Sequence, residues 1–128
     1  MTKFESLLSD FEKAVGRFGE VLALEKNDIV RDSAIQRFEF SFELCWKTLK
    51  AFLEEYHNVR CVSPRKCFRE AFNQGIINYS DFWIEMTKLR NETVHTYNEK
   101  IAEEIYKQLP PALSHFKILL DAMLKIKE

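Results

Sequence analysis

Apolar residues near the start of the chain repeat every three or four positions. This period constrains the fold more than any other feature. Phe4, Leu7, Leu8, Phe11, Val15, Phe18, Val21 and Leu22 fall on one stripe of a helix over residues 2–25. Gly16 and Gly19 weaken that helix without breaking it, and glycines so placed let another backbone approach closely. The polar run Glu25-Lys26-Asn27-Asp28 then connects to a second helix, with Asn27 or Asp28 as its N-cap.

The same period continues. Residues 28–56 read as the longest helix, with Ile35, Phe38, Phe42, Cys45, Trp46, Leu49, Phe52, Leu53 and Tyr56 as the main stripe. Phe40 and Leu44 lie on other faces. An arc this wide predicts burial on more than one side, by neighbouring helices or by a second subunit. Glu39, Glu43, Lys47 and Lys50 form a polar strip, read as a solvated face carrying a Glu43–Lys47 pair one turn apart.

Shorter helices follow. Ser63-Pro64 opens the third, which carries Cys67, Phe68, Ala71 and Phe72 inward and ends at Gly75. Arg60, Arg65, Lys66 and Arg69 are the main basic cluster, readable as a phosphate guide or as a solvated helix start. Ser80 or Asp81 caps a fourth helix, with Phe82, Trp83, Met86, Leu89 and Thr93 facing inward. Asn98 caps a fifth, with Glu99, Glu103 and Glu104 near its positive end. Pro110-Pro111 must break or kink the pattern, and the sequence leaves open whether 99–126 is one kinked helix or two.

Composition supports one all-α domain over residues 1–128, a bundle of about five helices. Hydrophobic residues make up 46% of the chain, with eleven Phe, four Tyr and two Trp for a core. Three Gly and three Pro are too few for the turns of an all-β fold. No stretch has the length of a membrane span, and the N-terminus lacks the apolar run of a signal peptide. A net charge of −1 limits unaided nucleic-acid affinity. Three cysteines, Cys45, Cys61 and Cys67, predict free thiols in a cytoplasmic protein. His57, Cys61 and Cys67 lack a fourth ligand and match no zinc spacing, so no metal or other cofactor is predicted.

One strip departs from this scaffold chemistry. Leu89-Arg90-Asn91-Glu92-Thr93-Val94-His95-Thr96-Tyr97 places a cation, an amide, an imidazole and a phenol at the end of an apolar helix. Arg90 offers a planar fork of donors suited to phosphate, and His95 can act as acid or base near neutral pH. Asn91 and His95 stand one turn apart, but Arg90 and His95 lie about 140° apart on a regular helix. The two face one ligand only if the helix unwinds near residue 94, or if a two-fold axis joins two copies of the strip. A blander reading makes Arg90 an ion-pair residue with Glu92 or Glu99, and His95 a helix-end cap. Trp46 and Trp83 read as core, and His57 and His115 carry no assigned role.

Arg90, Asn91, His95 and Tyr97 resemble the Arg-x4-His-x-Tyr signature of HEPN domains. More narrowly, the chain is similar to the small nucleotidyltransferase substrate-binding proteins, HepT-like partners of a minimal nucleotidyltransferase encoded nearby. Residues 37–50, Asp81-Phe82-Trp83 and the strip at 89–97 carry that similarity, in order. The resemblance implies an antiparallel up-and-down helical bundle of about five helices that forms a homodimer. It implies either a metal-independent ribonuclease toxin of a toxin–antitoxin pair or a substrate-binding accessory subunit without chemistry of its own. In the toxin case Arg90 and His95 are catalytic, Asn91 and Tyr97 support them and bind RNA or a nucleotide, and the partner silences the toxin by AMPylating Tyr97. A purely structural helical dimer is the third class.

Overall fold

The computed structural model describes residues 1–127 and contains six α-helices and one 3-10 turn, with no strand among the described residues. The helices are α1 (Lys3–Leu22), α2 (Asp28–His57), α3 (Pro64–Asn73), α4 (Phe82–Glu92), α5 (Glu99–Lys107) and α6 (Leu109–Lys127). The 3-10 turn, Thr93–His95, follows α4 directly. The expected all-α fold is present, with one helix more than the expected five.

Side-chain caps set most of the helix starts. Thr2 and Glu5 form a capping box on α1. Asn27, rather than Asp28, caps α2, its Oδ1 accepting the Val30 N–H at 2.8 Å. Ser63 caps α3 with Pro64 at its first position. At α4, Ser80 Oγ accepts the Phe82 N–H at 3.3 Å, while the Asp81 carboxylate takes the Tyr79 hydroxyl instead. Asn58 closes α2 in the left-handed conformation, φ 53°, which asparagine tolerates.

The question left open at 99–126 has a definite answer. α5 ends at Lys107 and α6 starts at Leu109, so these are two helices. Pro110 and Pro111 fall in the first turn of α6, where no intrahelical N–H is needed.

Aromatic contacts show the antiparallel course of α1 and α2. Phe4, early in α1, meets Phe52 and Tyr56, late in α2, at ring separations of 5.3 and 5.5 Å. Phe18, late in α1, meets Phe38 at 6.2 Å. Phe116 of α6 closes this layer against Phe11, Phe18 and Phe38. Phe4, Phe11, Phe18, Phe38, Phe42, Phe52 and Phe116 are all fully buried in one hydrophobic core that aliphatic side chains complete.

The wide apolar arc of α2 has a simple cause: α2 packs against α1, α3, α5 and α6. Neighbours within the chain therefore cover it. Phe40, off the main stripe, is half-buried beneath the Arg17 guanidinium, 5.2 Å from its ring centre.

Two expectations are corrected. Gly16 has no atom close to where a side chain would stand, and Gly19 meets only the Leu113 side chain at 3.8 Å. No backbone approaches closely at either glycine. The cysteines are not all free: Cys61 and Cys67 form a disulfide between the α2–α3 loop and the first turn of α3. The Ser63 cap turns the chain back on itself, bringing their Cα atoms to 5.2 Å, inside disulfide range. Cys45 stays a free, buried thiol whose pKa is pushed up by that burial.

Candidate functional site

The strip lies where α4 gives way to the 3-10 turn. Thr93 initiates the change. Its hydroxyl donates to the Arg90 carbonyl at 2.7 Å, competing for a group the helix would otherwise use. Thr96 repeats the contact, donating to the Thr93 carbonyl at 3.2 Å. Val94 and both threonines are β-branched, which further lowers helix preference here. The Asn98 N–H then bonds to the His95 carbonyl at 3.0 Å, and Asn98 caps α5. The helix thus unwinds near residue 94, one of the two conditions the spacing set.

The unwinding brings His95 and Tyr97 together. The phenol oxygen lies 3.4 Å from His95 Nδ1, a weak hydrogen bond, and the rings stand edge to face at 6.0 Å. With the phenol donating, the neutral imidazole carries its proton on Nε2. Both side chains are exposed, Tyr97 by 83%. Asn91 is exposed as well and has no hydrogen bond to His95 among the described residues. Tyr97, rather than Asn91, is the polar neighbour of the imidazole.

Arg90 is held separately. Its Nη1 donates to Thr93 Oγ1 at 3.2 Å, and its Nε lies 3.5 Å from Glu43 Oε1. That second contact is an ion pair without hydrogen-bond alignment, so Nε is a buried donor lacking a partner. Nε is thus sealed off from any ligand, and the donors left for one are those of Nη2, which has no hydrogen-bond partner among the described residues. Its carboxylate neighbour is neither Glu92 nor Glu99, the two partners the blander reading required. No hydrogen bond, ion pair or ring contact joins Arg90 to His95 among the described residues.

Two supporting groups are not apparent from the sequence. Glu43 belongs there to a solvated face. It pairs with Lys47 at 3.9 Å as expected, but it also reaches Arg90 and accepts the Trp46 indole N–H at 3.3 Å. Arg31 stands out less still. It is buried to 2% exposure and donates to Asp32, Glu99 and Glu103 at 2.7–3.0 Å. Those carboxylates hold the charged form and raise the Arg31 pKa further. Lys26 also bonds Glu103, and Lys26 and Arg31 together lower that carboxyl's pKa. The cage ties the start of α2 to the first turns of α5, directly after the strip. Its signal is present: Arg31 stands four before Ile35, on the core stripe of α2.

The metal candidates are otherwise engaged. Cys61 and Cys67 are bonded to each other, and His57 Nδ1 lies 3.2 Å from Gln74 Oε1. No cluster of three His, Cys, Asp or Glu side chains suits a metal ion among the described residues. No described helix is long and apolar enough to cross a membrane. A groove of about 570 Å³ runs between α4 and α5 over Leu89, Ile101 and Ile105, and none of the four strip residues lines it.

The model of the family described as "Nucleotidyltransferase substrate binding protein like" matches residues 4–125. The chain belongs to this family. Within it, the chain is 31% identical over 103 residues to a Haemophilus influenzae protein described as a probable ribonuclease HepT. That match spans 74% of this chain and 70% of the relative. A Thermus thermophilus protein of known crystal structure superposes with a TM-score of 0.83 at 36% identity, covering 87% of this chain and 96% of that one. A second Haemophilus influenzae match, a solved structure described as the fold of a substrate binding domain of a nucleotidyltransferase, gives a TM-score of 0.68. It is 25% identical and covers 93% of this chain and 95% of its own. The chain is thus similar both to a probable ribonuclease and to a substrate binding domain of a nucleotidyltransferase.

Proposed function

We propose that the chain is a metal-independent endoribonuclease that works as a homodimer, and that a cognate nucleotidyltransferase silences it by AMPylating Tyr97. One observation carries the reading: His95 and Tyr97 form an exposed pair at the unwound end of α4, and Arg90, five residues before His95, keeps Nη2 uncommitted. The similarity to a probable ribonuclease HepT supports it.

The chemistry needs little from the protein. RNA carries its own nucleophile, so the 2′-oxygen attacks the adjacent phosphorus and the bond to the 5′-oxygen breaks. Products are a 2′,3′-cyclic phosphate and a 5′-hydroxyl. His95 takes the 2′ proton or supplies one to the leaving oxygen, worth ~10²–10⁴ in rate. Arg90 offsets charge that grows on the phosphoryl oxygens. Tyr97 orients His95 through Nδ1 and offers a ring to a base. Within one chain Arg90 and His95 do not meet, so a two-fold axis pairing two strips supplies the complete set. AMP on the Tyr97 oxygen, transferred from ATP with loss of pyrophosphate, removes the phenol proton, covers the exposed His95–Tyr97 pair and adds an anion to the strip, which the paired subunit's cation then meets in place of RNA.

The family description and the solved Haemophilus structure favour an alternative: a non-catalytic subunit presenting substrate to a nucleotidyltransferase. RNA cleavage by the purified chain, with and without His95→Ala, separates the two. Loss of cleavage in the variant is expected, and equal cleavage rejects His95 as catalyst. Mass spectrometry after co-expression with the neighbouring nucleotidyltransferase shows AMP on Tyr97 in the first reading and an unmodified complex in the second.

A further inference from the structure

A second cavity, of about 270 Å³, opens where the end of α3 meets the start of α4. Phe68, Ile77 and Trp83 form its apolar floor, and the Phe68 and Trp83 rings lie 4.7 Å apart. Phe72 and Tyr79 stand at its mouth, edge to face at 5.5 Å. Both are exposed, Phe72 by 44% and Tyr79 by 67%, so the pair offers aromatic surface to an incoming molecule. The Tyr79 hydroxyl donates to the Asp81 carboxylate, which fixes that ring in place.

Basic side chains gather near the mouth, which also holds the Asp81 carboxylate bonded by the Tyr79 hydroxyl. Arg69 lines the cavity with Asn73 and Asn78. Arg65 stands one turn earlier on the same face of α3, and Lys66 and Arg60 are exposed nearby in sequence. None of these four cations has a carboxylate partner among the described residues. In a chain of net charge −1, such a concentration calls for an anion.

We propose that this cavity binds a nucleotide. The base stacks on the exposed outer surface of the Phe72–Tyr79 pair at the mouth, above the Phe68–Trp83 floor, and the phosphate meets Arg69 and Arg65. Stacking surfaces, amides for a base edge and unpaired guanidiniums are the three groups a nucleotide requires, and they converge here. The ligand is a free mononucleotide or one nucleotide of a single-stranded RNA. The site does not depend on the ribonuclease reading. No strip residue lines it, and Arg90 lies seven residues beyond Trp83 on α4, about 10 Å along the helix.

The two tryptophans make the test specific. Trp83 floors the cavity, whereas Trp46 bonds Glu43, the neighbour of Arg90. Trp46→Phe leaves a reporter for the cavity, and Trp83→Phe leaves one for the strip. The full chain is titrated with AMP, adenosine, inorganic phosphate and a short oligoadenylate. Saturable quenching of Trp83 by AMP is expected, with adenosine and phosphate about tenfold weaker or worse. Arg69→Glu and Tyr79→Ser, both at exposed positions, are expected to weaken AMP about tenfold with an unchanged melting temperature, and Arg90→Ala to leave it unaltered. An oligoadenylate that binds tighter than AMP assigns the site to an RNA strand, and equal affinity assigns it to free nucleotide. Absence of saturable quenching by both overturns the proposal. So does binding that survives Arg69→Glu, or binding that Arg90→Ala removes.

Discussion

Glu43 Oε1 lies 3.5 Å from Arg90 Nε, and the other oxygen of the same carboxylate accepts the Trp46 indole N–H at 3.3 Å. A side chain of α2 thus positions the cation of α4. Glu43→Gln keeps the shape and removes the charge. RNA cleavage is expected to fall about tenfold, mainly in kcat, as Arg90 loses its orientation. A half-exposed ion pair contributes little to folding, so the melting temperature is expected to move by no more than about 2 °C. Steady-state cleavage kinetics with a thermal scan check both parts.

Arg31 governs the other side of the strip. Arg31→Met removes hydrogen bonds to Asp32, Glu99 and Glu103, while those carboxylates keep access to water. The expected loss is about 1.5–3 kcal/mol, seen as a fall of roughly 5–10 °C in melting temperature. Hydrogen exchange of amides 93–98 is expected to speed up more than exchange within α1, because the cage anchors the helix that follows the strip.

Acid stability depends on Glu103. Lys26 and Arg31 hold its carboxyl below the ordinary value of 4.5. A lowered folded pKa means that the unfolded chain binds more protons as the solution is acidified. The contribution is therefore complete above the unfolded pKa and disappears as pH falls through the folded one. Melting temperatures from about pH 6 to about pH 3 are expected to fall less steeply in Glu103→Gln than in the wild type. Parallel curves would remove Glu103 from the account.

The Cys61–Cys67 bridge closes a loop with a sequence separation of 6. A loop of that size stabilises by about 2 kcal/mol in the chain-entropy view. Reduction is expected to lower the melting temperature by roughly 4–8 °C, and Cys61→Ser to reproduce the reduced value without added reductant. Free-thiol titration of the denatured chain before and after reduction counts the bond directly.

Much of this fold is legible because helices announce themselves through local spacing. The stripes of α1 and α2, the Ser63-Pro64 start and the Asn98 cap depend on residues within a turn or two of one another. At α4 the apolar pattern runs on, and the stop depends on whether the Thr93 hydroxyl takes the Arg90 carbonyl. That outcome is weak in sequence terms, because a mid-helix threonine can also point to solvent. Arg31 is hidden for a different reason. Its partners Glu99 and Glu103 lie on another helix, and a charge on an apolar stripe declares its burial only when they are brought near.

The amino-acid order alone determined an all-helical chain, most of the helix starts though not that of α6, the aromatic core positions and the four polar groups of the strip. These follow from periodicity and capping, which act over a few residues. Only the tertiary structure decided that Glu43 faces Arg90, that Tyr97 rather than Asn91 meets His95, and that Cys61 bonds Cys67. Each joins groups whose distance is set by how the chain packs or turns in space, and helical spacing carries no information about that.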